Sequence, residues 1–235
     1  MAKRQTKILS IGGSIIIPAT GFDINFLKKF KALILGEVKK GTRFILVIGG
    51  GITARTYQAG LKALVGSNNH MLDLIGIETT RLNANFVRLF FGEHAYGEVI
   101  FDPTKPVKTQ KSIIVACGWK PGCSTDADAV LLARAYGAKE LVNVSNIEYV
   151  YTKDPNIFPD AEKVEVIDWK TYRSEIVGDT WTPGKNSPFD PIASRDAEKY
   201  GMSVSIVRGS DLGEVKKAIQ GKKFKGTVIR PFISL

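Results

Sequence analysis

Apolar residues along the chain alternate between short unbroken runs and spaced stripes. The runs at 7–11 and 44–48 each finish in glycines, a pattern that predicts buried parallel strands. Between them Phe26, Leu27, Phe30, Leu33, Ile34 and Val38 recur at helical spacing, with Asp23 placed to cap the helix. Together they read as a βαβ unit. The same reading predicts further helices over 53–64, 71–91, 126–136, 169–176, 191–200 and 211–219. It predicts further strands over 98–101, 112–116, 140–144, 164–167, 203–207 and 227–229. Two long polar loops, 145–162 and 178–189, interrupt the alternation, and loops of that length are usually functional or mobile. With no linker, repeat or low-complexity tract, the pattern predicts one α/β domain with helices on both faces of a largely parallel sheet.

Composition narrows the function classes. Of 235 residues, 44% are hydrophobic and 24% charged, which fits a globular chain and excludes a disordered one. The apolar runs fall far short of the roughly 20 residues that a membrane span needs. The N-terminus runs straight into a strand with no signal-peptide pattern, so a cytoplasmic protein is expected. Cys117 and Cys123 fit neither a disulfide framework nor a common zinc spacing, and read as two reduced thiols. His70 and His94 are too few for a multi-histidine metal site.

The formal charge of +10 stands out and suggests an anionic partner: nucleic acid, a membrane surface or a phosphorylated small molecule. Its location is uneven. Residues 1–10 carry a net +3, 199–235 a net +6, and the long stretch between them only +1. The excess therefore reads as solvated surface at the chain ends. No RNA-binding motif with interleaved aromatics supports a nucleic-acid partner.

Candidate chemistry concentrates in four places. Gly12-Gly13-Ser14 and Gly49-Gly50-Gly51 each follow a strand, and the second opens a helix carrying Arg55. Glycines let backbone N–H groups approach an anion, and a helix N-terminus adds free donors and partial positive charge. Neither turn matches the P-loop or dinucleotide-binding fingerprint. In a parallel sheet both would open on one crevice beyond the strand carboxyl ends, an arrangement suited to phosphoryl transfer between two phosphorylated ligands. The third place is Gly118-Trp119-Lys120-Pro121-Gly122-Cys123-Ser124-Thr125-Asp126, ahead of an alanine-rich helix. There Thr125 and Asp126 either cap the helix or put a carboxylate at a reacting phosphate. The fourth, residues 145–155, mixes aromatic, amide and carboxylate groups able to hold a base and a ribose.

The chain resembles the amino-acid kinase superfamily, and within it the uridylate (UMP) kinases of archaeal type. The matching segments are 10–14, 47–55, 73–84, 121–126, 151–155 and 190–193, in family order over almost the whole length. The resemblance implies the three-layer αβα amino-acid kinase fold, with an acceptor-binding part over about 1–140 and an ATP-binding part over about 141–235. It implies transfer of the γ-phosphoryl of ATP to UMP, with Mg²⁺ carried by ATP. On the donor side it implies Gly12, Gly13, Ser14, Gly51 and Arg55 at the phosphates, and Ser145, Asn146, Tyr151 and Asp154 at base and ribose. On the acceptor side it implies Gly50, Asp73 at the UMP ribose, and Trp119, Lys120, Pro121, Gly122, Cys123, Ser124 and Thr125 around the uracil and phosphate. Asp126 and Arg55 are the implied catalytic pair, and no resident metal ligand is expected. A homo-oligomer, commonly a hexamer, is implied as well, with the exposed face of 53–64 or 71–91 as its contact.

Three positions depart from the family pattern. Ser10 stands where many members carry a lysine, and Lys7, Lys120, Lys185 and Arg195 are the candidate substitutes. Tyr149 replaces a turn glycine in the ATP loop. Asp128 replaces a small apolar residue and is expected to face solvent. Two other readings follow: a catalytically silent nucleotide-binding member, or a kinase for another small phosphorylated acceptor. Isopentenyl phosphate kinases place a histidine beside the second glycine cluster, where none stands here, and acetylglutamate- and aspartate-type kinases lack the 73–84 pattern.

Overall fold

In the computed structural model, which describes residues 5–66, 68–178, 180 and 187–232, the first two predicted strands lie side by side at the centre of the molecule. β1 (Thr6–Ile11) pairs in parallel with β2 (Arg43–Ile48) on one side and β5 (Glu140–Ser145) on the other. β4 (Ile113–Ala116) and then β3 (Ala95–Ile100) extend the sheet beyond β2, both parallel. On the far side β9 (Ser203–Arg208) is parallel to β5, β10 (Thr227–Arg230) runs antiparallel to β9, and β8 (Val166–Asp168) closes the edge parallel to β10. The result is an eight-stranded, largely parallel sheet.

Strand alternation splits the core into two layers. Ile8, Ile45, Val47, Ile114 and Leu141 enter one face. There they meet α5 (Thr125–Tyr136), α6 (Trp169–Thr171) with the π-helical turn Tyr172–Val177, and α7 (Pro191–Lys199). Leu9, Phe44, Leu46, Ile113 and Val115 enter the other, against α2 (Ile24–Lys39), α4 (Asn69–Phe91) and α8 (Leu212–Ile219). The three-layer αβα architecture is the expected one. Asp23 caps α2 by accepting from the Phe26 N–H at 2.9 Å, also as expected.

The segment 164–167 is not one strand. β7 (Lys163–Val164) pairs antiparallel with β6 (Val150–Tyr151) in a separate hairpin, while β8 joins the main sheet. Val164 and Ile167 both pack on the same core layer, which two residues three apart on a regular strand cannot do, so the chain breaks at Glu165. Most of the second polar loop, including Lys185, lies outside the described residues.

Four basic residues of the chain ends line one cavity away from the glycine turns. Lys7 opens β1 and pairs with Glu140, which opens β5, at 2.7 Å. Lys222, Lys223 and Arg230 line the same cavity, of about 410 Å³. No helix among the described residues is long and apolar enough to cross a membrane.

Candidate functional site

The two glycine turns meet at the carboxyl ends of β1 and β2, packed backbone to backbone. A Cβ on Gly13 would come within 2.5 Å of the Gly51 nitrogen, and one on Gly51 would strike the Ser14 nitrogen. Gly51 also has φ +60°, a conformation that costs an L side chain roughly 1–2 kcal/mol. From behind, buried Asn83 of α4 donates to the carbonyls of Gly49 and Gly50 at 3.0 and 3.1 Å. Asn83 lies in the 73–84 segment, yet only the structure shows it as the strut of the second turn.

Each turn opens a helix: α1 (Gly13–Ile16) after the first, α3 (Gly51–Val65) after the second. Neither has a side-chain cap, whereas α2, α4, α5, α7 and α8 are all capped by an Asp, Asn or Ser side chain. In α1 the Ile15 N–H is already taken by the Gly12 carbonyl at 2.9 Å, while the first N–H groups of α3 are left for another acceptor. Arg55, exposed on α3, reaches across to donate to Ser14 Oγ at 3.1 Å.

Two adjoining clefts open over these turns. The larger, about 640 Å³, is lined by Gly12, Gly13, Ser14, Gly51 and Arg55 and by Ser145, Asn146, Tyr151 and Asp154, all the residues expected on the donor side. The smaller, about 270 Å³, is lined by Gly50, Asp73, Cys123, Ser124, Thr125 and Asp126. Gly50, Gly51, Arg55, Thr125 and Ser187 line both, so the clefts share a wall. Trp119, Lys120, Pro121 and Gly122 do not line the smaller cleft; they form a loop at its rim. That loop reaches the cleft through the Gly122 N–H, which donates to Asp73 Oδ2 at 2.9 Å. Gln58, Gly76, Ile77, Thr80 and Asp190 also line the smaller cleft, and Tyr149 is among the further residues of the larger. Gln58, Ile77 and Thr80 were invisible to a reading of turns, because they project from helix faces.

The start of α5 corrects two expectations. Ser124 is the cap, accepting from the Ala127 N–H at 3.1 Å, rather than Thr125 or Asp126. Asp126 points inward instead and accepts from Ser10 Oγ at 2.7 Å and Asn143 Nδ2 at 2.9 Å. Asp128, expected at the surface, is fully buried. The face of α5 it occupies is pressed against the acceptor-side loop, and Asp128 accepts there from the Trp119 N–H and the Cys123 thiol.

Asp190 caps α7 and also accepts from the Ser124 hydroxyl, tying the starts of α5 and α7 together. Burial, with the Asp190 charge adding to it, pushes the Asp126 carboxyl up to about 7 against the opposing hydrogen bond from Ser10. Burial likewise pushes Asp128 up to about 7, against hydrogen bonds from Cys123 and Trp119, and raises Asp190. Among the described residues none of the three forms an ion pair with a lysine or arginine.

Of the expected stand-ins for a lysine at Ser10, Lys185 lies outside the described residues and the other three lie elsewhere. Lys7 is at the opposite end of its strand, Lys120 stacks on the Trp119 ring at 4.0 Å, and Arg195 sits beside Asp196. The described cations lining the clefts are Arg55 and Lys153, and Lys153 is paired with Asp160 at 2.7 Å.

The family model of the amino acid kinase family matches this chain over residues 5–208. The chain belongs to the amino acid kinase family. Among curated relatives it is 32% identical to the uridylate kinase of Pyrococcus abyssi, over 95% of this chain and 99% of that one. It is 34% identical to the uridylate kinase of Methanosarcina mazei, over 87% and 88%. Among solved structures it resembles uridylate kinase from Archaeoglobus fulgidus, with a TM-score of 0.78 and 27% identity, covering 96% of this chain and 99% of that one. UMP kinase from Bacillus anthracis shares the fold, with a TM-score of 0.76 at 19% identity over 98% of each chain.

Proposed function

We propose that this member of the family is a UMP kinase, which transfers the γ-phosphoryl group of ATP to UMP and releases ADP and UDP. The observation that carries the reading is the pair of clefts joined along Gly50, Gly51, Arg55 and Thr125, which lets two phosphorylated ligands meet end to end. The larger cleft takes ATP, with base and ribose near Ser145, Asn146, Tyr151 and Asp154 and phosphates over Gly12–Ser14. The smaller takes UMP, with Asp73 accepting from the ribose hydroxyls and the phosphate directed at Gly50, Thr125 and Arg55. In this assignment the two parts divide near residue 140, and each lends residues to the other's cleft.

An oxygen of the UMP phosphate attacks the γ-phosphorus, and the bond from that phosphorus to the β-bridging oxygen breaks with its electron pair leaving on ADP. The attacking oxygen is already ionised, so the residues need not remove a proton. Their work is alignment and neutralisation of charge. Free N–H groups at the start of α3 and the Arg55 guanidinium face the transferring group, while Ser10 and Asn143 hold Asp126 at its edge. Among the described residues no cluster of three or more acidic, histidine or cysteine side chains is placed to hold a metal ion. This donor set fits a Mg²⁺ that arrives on the nucleotide phosphates and keeps its own waters. When bound, the ion withdraws charge from the transferring oxygens.

Exposed Leu74, Leu82 and Leu89 on α4 support the reading of a homo-oligomer. A cytoplasmic location accords with a substrate pair of free nucleotides.

Ser10 in place of a lysine favours one second reading, a catalytically silent nucleotide-binding protein. Coupled ADP release with UMP, CMP, dUMP and isopentenyl phosphate as acceptors separates the readings. Turnover with UMP above the others is expected, and ATP binding without turnover on any acceptor would overturn the assignment.

A further inference from the structure

Asp128 is a buried carboxylate within reach of the charges of Asp126 and Asp190. Such a group is costly to keep where a small apolar side chain would fill the space. What it touches explains its presence. Oδ2 accepts from the Trp119 N–H at 3.1 Å and Oδ1 from the Cys123 thiol at 3.2 Å, so one side chain grips both ends of the rim loop. The loop's other bonds run to α4, from Gly118 N–H to Thr80 Oγ1 and from Gly122 N–H to Asp73 Oδ2, each at 2.9 Å. The loop is therefore suspended between two helices, and Asp128 is its tie to α5. The consequence reaches the cleft through Gly122, whose N–H occupies the carboxylate of Asp73.

We propose that Asp128 is a positioning residue for the acceptor: it shapes the 118–123 loop, and through Gly122 it sets the orientation of Asp73 in the smaller cleft. The proposal rests on the kinase reading for the identity of the acceptor but not for the shape of the loop. Removing both acceptor atoms leaves two buried donors unpaired on the loop. Asp128 reaches no residue of the larger cleft through these bonds, so ATP use is insulated from it.

The test uses the whole chain carrying Asp128→Ala, with the isosteric Asp128→Asn as a second variant in case the first folds poorly. Amide hydrogen exchange without ligand should accelerate in peptides spanning 118–123 by about tenfold and leave the Gly12–Ser14 turn unchanged. Cys123 should react faster with a thiol reagent while buried Cys117 stays protected. In ADP-release kinetics the KM for UMP should rise about tenfold with the KM for ATP within about twofold. Unchanged exchange in the loop overturns the proposal, as does a parallel rise in both KM values. If the unmodified chain releases no ADP with UMP, the kinase reading falls and exchange alone judges the loop. Accelerated exchange then supports the positioning role, and unchanged exchange ends it.

Discussion

Replacing Asp126 with asparagine should remove catalysis and stabilise the fold, and the stabilisation should grow with pH. In the folded chain Asp126 titrates near 7 rather than near its ordinary 3.8, because burial strips water from its carboxylate, the charges of Asp190 and Asp128 add to that cost, and no lysine or arginine among the described residues pairs with it. The sign follows from proton counting. Between those two values the unfolded chain has lost the proton and the folded chain keeps it, so folding weakens as pH rises and levels off above about 7. A difference of about three pKa units corresponds to about 4 kcal/mol at most, of which about 2.7 kcal/mol develops between pH 5 and pH 8.5. Asparagine keeps an oxygen for Ser10 and Asn143 and carries no charge, so it escapes that cost. In a chain of this length 1 kcal/mol moves Tm by about 2–4 °C. The variant's Tm advantage over the unmodified chain should therefore be about 5–11 °C larger at pH 8.5 than at pH 5. Thermal denaturation of both proteins at the two pH values measures it. An advantage that is flat or shrinks with rising pH would refute the view that an unbalanced carboxylate sits at this centre.

Other changes probe the rest of the site. Arg55→Ala should lower kcat/KM by about a hundredfold in steady-state kinetics with ATP and UMP, since it removes the described cation shared by both clefts. Asp73→Ala should raise the KM for UMP about tenfold and leave the KM for ATP nearly unchanged; equal KM values for UMP would sink its assignment to the ribose. Gly51→Ala should destabilise the fold by more than about 2 kcal/mol in urea denaturation, because left-handed backbone and collision with Ser14 add together. Chelating divalent ions should abolish turnover and leave Tm within about 1 °C, as expected where no cluster among the described residues holds the metal.

Much of this could be read from the chain because its determinants are local. Glycines after an apolar run, and an Asp three residues before a helix's first buried stripe, act within one turn of backbone. The turns, the cap at Asp23 and the chain segments of strands β1 to β5 followed. The start of α5 did not. Ser124, Thr125 and Asp126 are all plausible caps by type, and the choice is made by Ser10 and Asn143, which lie on other strands and draw Asp126 inward. Asp128 looked like a solvent residue because a charged group in a helix usually is. Yet α5 also buries Ala127, Ala129, Val130, Leu132 and Ala133, wedged between sheet and neighbours, so it has little outer face at that end. Asn83 and Asp190 act through partners 33 and 66 residues away, beyond any local rule.

The contact of Gly13 with Gly51 also bears on how such a protein can change over time. Each glycine fills the space a side chain on the other would need, so neither turn can drift alone without blocking its neighbour. The two turns are thus locked as one inheritance unit at this contact. A graft of either turn from a distant relative would succeed only if both turns travelled together.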